Sequence, residues 1–430
     1  MRVLIVGGGG REHALAWRLR QEDPSAELFA APGNPGIAEL ATCASISATD
    51  LGSVLGLARH LAVDWTLVGP EAPLAAGLVD TFRAAGLPIF GPTRAAAMIE
   101  SSKEFSKKLM LDAGVPTARA ISCRTMADAE RAIDNIGVPV VIKASGLAAG
   151  KGVIVCTTRS EATDAAASML AGSFGDAGST LLVEEFMDGE ELSLFALTDG
   201  MHAVPLPAAQ DHKRLLEEDR GPNTGGMGAY CPVSLVDQSP ELIDDVLERV
   251  VSPTLAAMLA RGTPFSGLLY VGLMLTAAGP KVVEFNCRFG DPETQAVLPA
   301  LGRHAPLGEF MFTIARGDRL PENTKFDASR FAVSTVVAAA GYPEHPMTGD
   351  VIELPAVPDG VLVFHAGTKR GPDGTLVTAG GRVLTITGVG DSLDEAHGRS
   401  LAYAREVLFK GKQFRSDIAW RELVRRAGTP

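Results

Sequence analysis

Basic charge is what this 430-residue chain has too little of: 39 Lys and Arg stand against 51 Asp and Glu, a formal net charge of −12. A nucleic-acid backbone demands a concentrated basic surface, so such a partner is not expected, and any anionic ligand must be met by local devices. Long apolar runs are missing too. Hydrophobic residues make up 46% of the chain, yet no run approaches the roughly 18 residues of a membrane span. Met1-Arg2-Val3-Leu4-Ile5 leads directly into a strand and a glycine turn, so neither a membrane segment nor a signal peptide is read. Cysteine is sparse: the five, at 43, 123, 156, 231 and 287, form no CxxC pair and no His/Cys cluster at metal spacing. A reduced, cytoplasmic setting is the economical expectation. At about 150 residues per domain the length suggests roughly three domains.

The richest stretch is PVVIKASGLAAGKGVIV, residues 139 to 155. An apolar run ends in Lys143, a loop with Gly146, Gly150 and Gly152 carries Lys151, and a second apolar run follows, so the segment reads as strand, loop, strand. Glycines let backbone amides approach a ligand closely, and two lysines beside them suit a polyphosphate. A Walker A loop needs a wider glycine spacing, Ser or Thr after the lysine, and a helix behind it; here Gly152 follows Lys151, and Val153, Ile154 and Val155 favour a strand. A solvated glycine hairpin is the bland alternative.

Further strand ends carry glycine-rich loops. Residues 2 to 6 end in Gly7-Gly8-Gly9-Gly10 before a helical segment from Arg11 to Arg20, an arrangement that makes an anion site of the helix N-terminus. A dinucleotide fingerprint would need glycine where Glu12 stands, and the next strand ends in Pro32 rather than an acid. Strands at 28 to 31, 66 to 68 and 88 to 90 lead into loops at 32 to 36, 69 to 73 and 91 to 93, which should converge on one crevice of a parallel sheet. Helices are expected over 95 to 114, about 127 to 136, 160 to 170 and 240 to 261. Lys103, Lys107 and Lys108 fall at or near helical turns, where most lysines form a solvated face. A strand from Leu181 to Phe186 and another from Leu192 to Leu197 flank acids suited to a nucleotide's ribose, beside an extended backbone suited to adenine. Residues 211 to 228 read as the longest irregular segment, with Lys213 and Arg214 favouring a functional loop.

The other strong signal is a hairpin of 267 to 276 with 281 to 285, whose second strand reads Val282-Val283-Glu284-Phe285-Asn286-Cys287-Arg288-Phe289-Gly290-Asp291. Alternation puts Glu284, Asn286 and Arg288 on one face and Val283, Phe285 and Cys287 on the other. With i and i+2 about 6.6 Å apart, a carboxylate and an amide oxygen can converge on one hard cation, and Mg²⁺ suits them. Arg288 could clamp a carboxylate through its planar fork. A half-buried strand with a wet polar face is the alternative. From about Lys325 the chain turns β-rich, with strands expected at 331 to 340, 350 to 354, 361 to 365 and 382 to 387 and a helix from 393 to about 408. His365, near a strand end, is expected to be structural.

Taken together, GGGGREHALAW at 7 to 17, APGNPG at 31 to 36, VGPEAPL at 68 to 74, IKASGLAAGKGVIV at 142 to 155, QDHKR at 210 to 214, GPNTGGMGAY at 221 to 230, EFNCRFGDPETQ at 284 to 295 and FHAGTK at 364 to 369 resemble the phosphoribosylamine–glycine ligases, or glycinamide ribonucleotide synthetases, of the ATP-grasp superfamily. The resemblance spans essentially the whole chain. It implies an α/β and α+β multidomain protein: a Rossmann-like parallel-sheet domain at 1 to 100, an ATP-grasp domain at 101 to 325 with a lid at about 120 to 190, and a β-rich domain at 326 to 430. It also implies a carbon–nitrogen ligase that joins glycine to 5-phosphoribosylamine at the expense of ATP in purine synthesis, with Mg²⁺ or Mn²⁺, as a monomer or weak homodimer without nucleic-acid or membrane partners.

Carried over to matching positions, Lys103, Lys143, Lys151 and the lid glycines Gly146, Gly150 and Gly152 meet ATP phosphates, with Arg214 also in the ATP site. Glu184, Phe186 and Glu191 line the adenine and ribose. Glu284 and Asn286 bind the metal, Arg288 meets the glycine carboxylate, and Asp291 lies near its amine. Gly9, Arg11, Glu12, Asn34, Pro70 and Glu71 cradle the sugar phosphate, with Gly225 on the substrate side. Lys143, Arg288 and Asp291 form the catalytic set. Two departures stand out: Ser145 replaces the family's usual Asp, and the strand 269 to 275 lacks the acid that supplies a further metal ligand in many other ATP-grasp enzymes. The rival readings are another ATP-grasp ligase or carboxylase, a nucleotide-binding regulator without chemistry, and an NAD enzyme.

Overall fold

The computed structural model describes the chain except residues 147–151, 174–177, 240, 323 and 429–430. Its N-terminal part is built on five parallel strands, β1 (Arg2–Gly7), β2 (Glu27–Pro32), β3 (Thr42–Cys43), β4 (Trp65–Val68) and β5 (Ile89–Phe90), in the order β3-β2-β1-β4-β5. Val3, Leu4, Ile5 and Val6 are all buried, because helices cover both faces of such a sheet and leave no polar side to alternate with. Strand order reverses between β1 and β4, so the loops after these two strands open onto the same crevice. The helix Gly10–Glu22 starts in that crevice, and its Glu12 side chain folds back to accept the Gly9 N–H at 2.6 Å. Gly7 makes this possible: it has φ +129°, and a Cβ there would lie 2.6 Å from Glu12 Cγ.

A four-stranded antiparallel sheet follows, made of β6 (Ala120–Cys123), β7 (Val140–Ala144), β8 (Val153–Cys156) and β9 (Leu181–Glu185) in the order β6-β9-β7-β8. Lys143 pairs with Val153, which makes the expected hairpin. The helices Met126–Ile136 and Arg159–Ser168 cover this sheet with Ala129, Ile133, Ala162 and Ala166, and together with Val140, Ile142 and Val183 they form a hydrophobic cluster separate from the main core.

The largest element is an eight-stranded antiparallel sheet. It contains β10 (Glu190–Thr198) and β11 (Ala203–Asp211), and the chain then makes a side hairpin of β12 (Arg214–Leu216) with β13 (Arg220–Asn223). The sheet resumes with β14 (Gly228–Cys231), β15 (Gly267–Thr276), β16 (Gly279–Asn286), β17 (Phe331–Ala338) and β18 (Val361–His365); after a second side hairpin of β19 (Thr368–Arg370) with β20 (Leu376–Thr378) it closes with β21 (Arg382–Gly390). The order is β16-β15-β10-β11-β14-β17-β21-β18, so one sheet runs through the expected boundary at 325 by way of the β14–β17 pairing. None of the described helices is long and apolar enough to cross a membrane.

Three expectations are corrected. The segment 211 to 228 is largely extended rather than irregular: Arg415 holds the Arg214 carbonyl at 3.1 Å and Asp219 at 2.8 Å, a partner from the far end of the chain. Residues 350 to 354 form isolated bridges to Val377 and Leu408 instead of a strand. In β16 the register slips between Gly272 and Leu273, leaving Val283 as a bulge, so the buried positions are Val282 and Phe285 rather than Val283 and Phe285.

Candidate active site

The two hairpins face one another. Lys143, at the end of β7, donates from Nζ to the carbonyl oxygen of Val283 on β16 at 3.3 Å and forms an ion pair with Glu184 at 2.8 Å. Lys107 approaches the other oxygen of Glu184 at 3.2 Å and also donates to Thr117 Oγ1 at 2.8 Å. Glu184, only 2% exposed, thus sits between two ammonium groups. Burial pushes its carboxyl up, but Lys143 and Lys107 more than reverse this and hold it below the usual carboxylate range. The reading of Glu184 as an adenine and ribose group therefore has a second component: it orders the lysines.

Lys103 opens the helix Lys103–Asp112 and donates from Nζ to Gly146 O at 3.3 Å. Burial lowers its pKa, with Glu284 opposing the shift. The first three amides of that helix are satisfied: Lys103 N–H by Ser145 O, Glu104 N–H by Ser145 Oγ, and Phe105 N–H by Ser102 Oγ. Ser145, the residue that departs from the family pattern, thereby locks the end of β7 to the start of the helix that carries Lys103. Gly152 accepts the Ala144 N–H at 2.8 Å across the hairpin, whereas Gly150 and Lys151 lie outside the described residues.

Opposite stands an acidic wall. Burial raises the pKa of Glu284, but Lys213, Lys103, Lys143 and Arg288 reverse the shift and keep it low, so a negative oxygen donor faces the lysines. With its amide turned so that nitrogen donates to Glu100 Oε1 and to Phe285 O, each at 3.2 Å, Asn286 keeps its amide oxygen as an acceptor. A carboxylate and an amide oxygen two residues apart are the donor types a hard divalent cation takes, so these residues fit one completed by phosphate and water. Lys213 pairs with Glu191; burial alone would lower its pKa, but Asp211, Glu191 and Glu284 raise it well above the usual value. Asp211 is pushed up to about 8, mainly by burial.

Arg288 extends this wall. Its Nε meets Glu71 at 3.3 Å, Nη2 meets Glu100 at 2.7 Å, and Nη1 donates to Phe289 O at 3.2 Å. A guanidinium has five N–H groups; three are engaged here, which leaves two for a carboxylate. Burial raises the pKa of Glu71, and Arg288 followed by Arg11 turns the balance downward. Asp291 accepts from Gln295 Nε2 at 2.7 Å and pairs with Arg382 at 3.3 Å. Arg382 also donates to the carbonyls of Asp291 at 2.7 Å and Gly225 at 2.5 Å, while the Gly225 N–H reaches Tyr342 Oη at 2.9 Å.

The N-terminal crevice meets the same segment. Arg11 pairs with Glu12 at 2.6 Å and donates to Phe289 O at 3.1 Å. Asn34 spends its whole amide locally: its nitrogen donates to Gly8 O at 2.9 Å and His365 O at 2.7 Å, and its oxygen accepts from Gly36 and Ile37 N–H groups, both at 2.9 Å. Pro70 precedes the helix Glu71–Ala76, which places Glu71 beside Arg288. His365 is buried, as expected of a structural residue, and its N–H donates to His13 Nδ1 at 2.9 Å. Two expected site residues stand apart from these contacts. Arg214 donates to Gly221 O at 2.8 Å within the β12–β13 hairpin, and Phe186 lies just past β9, 42% exposed.

Residue by residue, the structure brings Lys103, Lys143, Glu184, Glu284, Asn286 and Arg288 near one another, with Gly9, Arg11, Glu12, Glu71 and Asp291 on the N-terminal side. Sequence reasoning missed Glu100, Arg382 and Tyr342, and Lys107, read there as one of three lysines of a solvated face, is instead buried against Glu184. Lys107 alone had a local signal, since it lies one helical turn beyond Lys103.

Family models described as phosphoribosylglycinamide synthetase N domain, ATP-grasp (A) domain and C domain match residues 1–100, 101–294 and 332–421. The chain belongs to the phosphoribosylglycinamide synthetase family. It is similar to the phosphoribosylamine–glycine ligase of Xanthomonas axonopodis pv. citri, 47% identical over 431 residues with 99% of each chain covered, and to that of Escherichia coli O6:H1, 46% identical with the same coverage. Among solved structures, the phosphoribosylamine–glycine ligase of Thermotoga maritima superposes with a TM-score of 0.84 at 33% identity, covering 97% of this chain and 100% of that one. A biotin carboxylase from Campylobacter jejuni shares the fold, with a TM-score of 0.71 at 15% identity over 96% of this chain and 92% of that one. A member of this family is an ATP-dependent ligase of purine biosynthesis with the ATP-grasp fold, and the mixed parallel and antiparallel architecture described above accords with that assignment.

Proposed function

We propose that this protein ligates glycine to 5-phosphoribosylamine through a glycyl phosphate. The glycine carboxylate oxygen attacks the γ-phosphorus of ATP and ADP leaves. The amine nitrogen then attacks the acyl carbon, the amide forms, phosphate departs, and the nitrogen's proton passes to solvent or a nearby base. Neither step needs a protein nucleophile, so positioning and charge carry the catalysis. Lys103 and Lys143 balance phosphate charge, with Lys151 and the glycines Gly146, Gly150 and Gly152 assigned to the covering loop. Glu184, Phe186, Glu191 and Arg214 are assigned to the nucleotide. Arg288 offers its two unspent N–H groups to the glycine carboxylate, and Asp291 its carboxylate to the amine. Gly9, Arg11, Glu12, Asn34, Pro70, Glu71 and Gly225 make the phosphoribosyl side.

Mg²⁺ or Mn²⁺ would be held by Glu284 and Asn286 and supplies neutralisation of phosphate charge. Excluding water matters, because a glycyl phosphate hydrolyses readily.

The observation that carries this reading is the hydrogen bond from Lys143 to Val283, which sets the cationic hairpin against the strand bearing Glu284 and Asn286. The test is ADP release with ATP, glycine and phosphoribosylamine supplied singly, in pairs and together. Efficient release is expected only with all three; equal release without glycine, or with another acid and amine, would overturn the proposal.

A further inference from the structure

We propose that Glu100 is a positioning residue that orients Asn286 and Arg288 together, coupling the metal-binding amide to the arginine assigned to the substrate carboxylate. This rests on the function proposed above.

Glu100 lies in the last turn of the helix Arg94–Ser101, where the negative end of the helix dipole disfavours an acid, and it is only 8% exposed. A carboxylate buried at such a place must be compensated. Its hydrogen-bond donors are three consecutive residues, and the Lys103 ammonium adds positive charge nearby. Oε2 accepts the Cys287 N–H at 2.8 Å, while Oε1 accepts Arg288 Nη2 at 2.7 Å and, with the Asn286 amide turned as described above, its nitrogen at 3.2 Å.

The chain path explains how one side chain does this. β16 ends at Asn286 and the chain bends at Cys287 and Arg288, which brings the Asn286 amide, the Cys287 N–H and the Arg288 guanidinium within reach of a single carboxylate. Two consequences follow for the site. The amide nitrogen of Asn286 is committed to Glu100, which fixes its oxygen as the atom available to a cation. One Nη2 hydrogen of Arg288 is likewise committed, and with Glu71 on Nε the plane of the guanidinium is held from two sides. Losing Glu100 frees both groups to rotate.

The test compares Glu100→Gln and Glu100→Asp with the full-length wild-type chain. Gln keeps the size but offers one acceptor in place of two; Asp keeps the charge but withdraws it by one methylene. Partners that orient metal ligands are worth about 10- to 100-fold in affinity, so Mn²⁺ binding in the presence of ATP, followed by electron paramagnetic resonance, should weaken about tenfold in Glu100→Gln and in the same direction in Glu100→Asp. The KM for glycine should rise in parallel, while the KM for phosphoribosylamine changes less than about twofold. A merely structural role would lower the melting temperature and leave Mn²⁺ affinity and the glycine KM unchanged; that result in either folded variant overturns the proposal. If the wild-type chain itself releases no glycine-dependent ADP, the functional reading fails instead, and Mn²⁺ binding still reports on Glu100.

Discussion

The hairpin carrying Lys143 and the hairpin carrying Glu284 are built on opposite plans. The cationic side is tied to its nearest neighbours: Lys143 and Lys107 share Glu184, and Ser145 joins β7, in a small sheet with its own hydrophobic cluster, to the adjoining helix that carries Lys103. The acidic side is held from a distance. Between residues 286 and 291 the chain is gripped by Glu100, by Arg11 and Glu71 of the N-terminal crevice, and by Arg382 near the C-terminus. The contrast teaches where precision is invested. A lysine can neutralise phosphate from a range of positions, whereas a metal ligand and a carboxylate clamp must be held within fractions of an ångström.

The largest effect that would break the comparison is on turnover. Glu284→Ala should lower kcat by at least about 10²-fold with an unchanged melting temperature, because it removes a metal oxygen without emptying a core, and Lys143→Ala should lower turnover by a similar factor. ADP release and thermal melts check both, and near-normal turnover in either variant would count against the assigned cleft.

Next comes stability. Glu184→Ala leaves two buried ammonium groups facing each other and should cost about 3–5 kcal/mol in chemical denaturation, more than Lys143→Ala, which leaves Glu184 still paired with Lys107. A smaller loss in Glu184→Ala than in Lys143→Ala would reverse the plan described for the cationic side.

Arg382→Ala should lower kcat/KM for glycine by about tenfold, through loosening of Asp291 and Gly225, with the KM for ATP little altered; steady-state kinetics with each substrate varied in turn would sharpen the long-range side of the contrast.

The smallest expected effect is acid lability. Burial followed by His365 lowers His13 from 6.5 to about 3, and burial followed by Arg370 lowers His365 to about 4. Both are neutral when folded, while the unfolded chain protonates near pH 6.5, so their stability contribution is present above that pH and is lost as pH falls toward 4 and then 3. The melting temperature should therefore decline below pH 6.5, and less steeply in His13→Asn.

Much of this was legible in the sequence because it is written locally. Apolar runs around Lys143 and before Glu284 announced both hairpins, and glycine-rich strand ends announced the N-terminal crevice. Glu100 and Arg382 were not legible, since their partners lie 187 and 91 residues away and no local pattern distinguishes them from any acid ending a helix or any arginine opening a strand. Lys107 and Lys108 show the limit most clearly. They are neighbours of one type on one helix, yet the first is buried against Glu184 and the second reaches Asp112 in solvent, a difference set by the sheet packed on one side. The strand β11 was missed because β10 and β14, its hydrogen-bonding neighbours, identify it better than its own proline-broken sequence does.

The pairing of β14 with β17 bears on how the molecule comes into being. Synthesised from its N-terminus, the chain presents the open edge of β14 until residues 331 to 338 arrive to seal it, and an unsealed edge is a template for sticking to other chains. The last hundred residues thus act as the closing half of a zip, and fragments that stop short of Phe331 are expected to clump rather than survive as a working catalytic half.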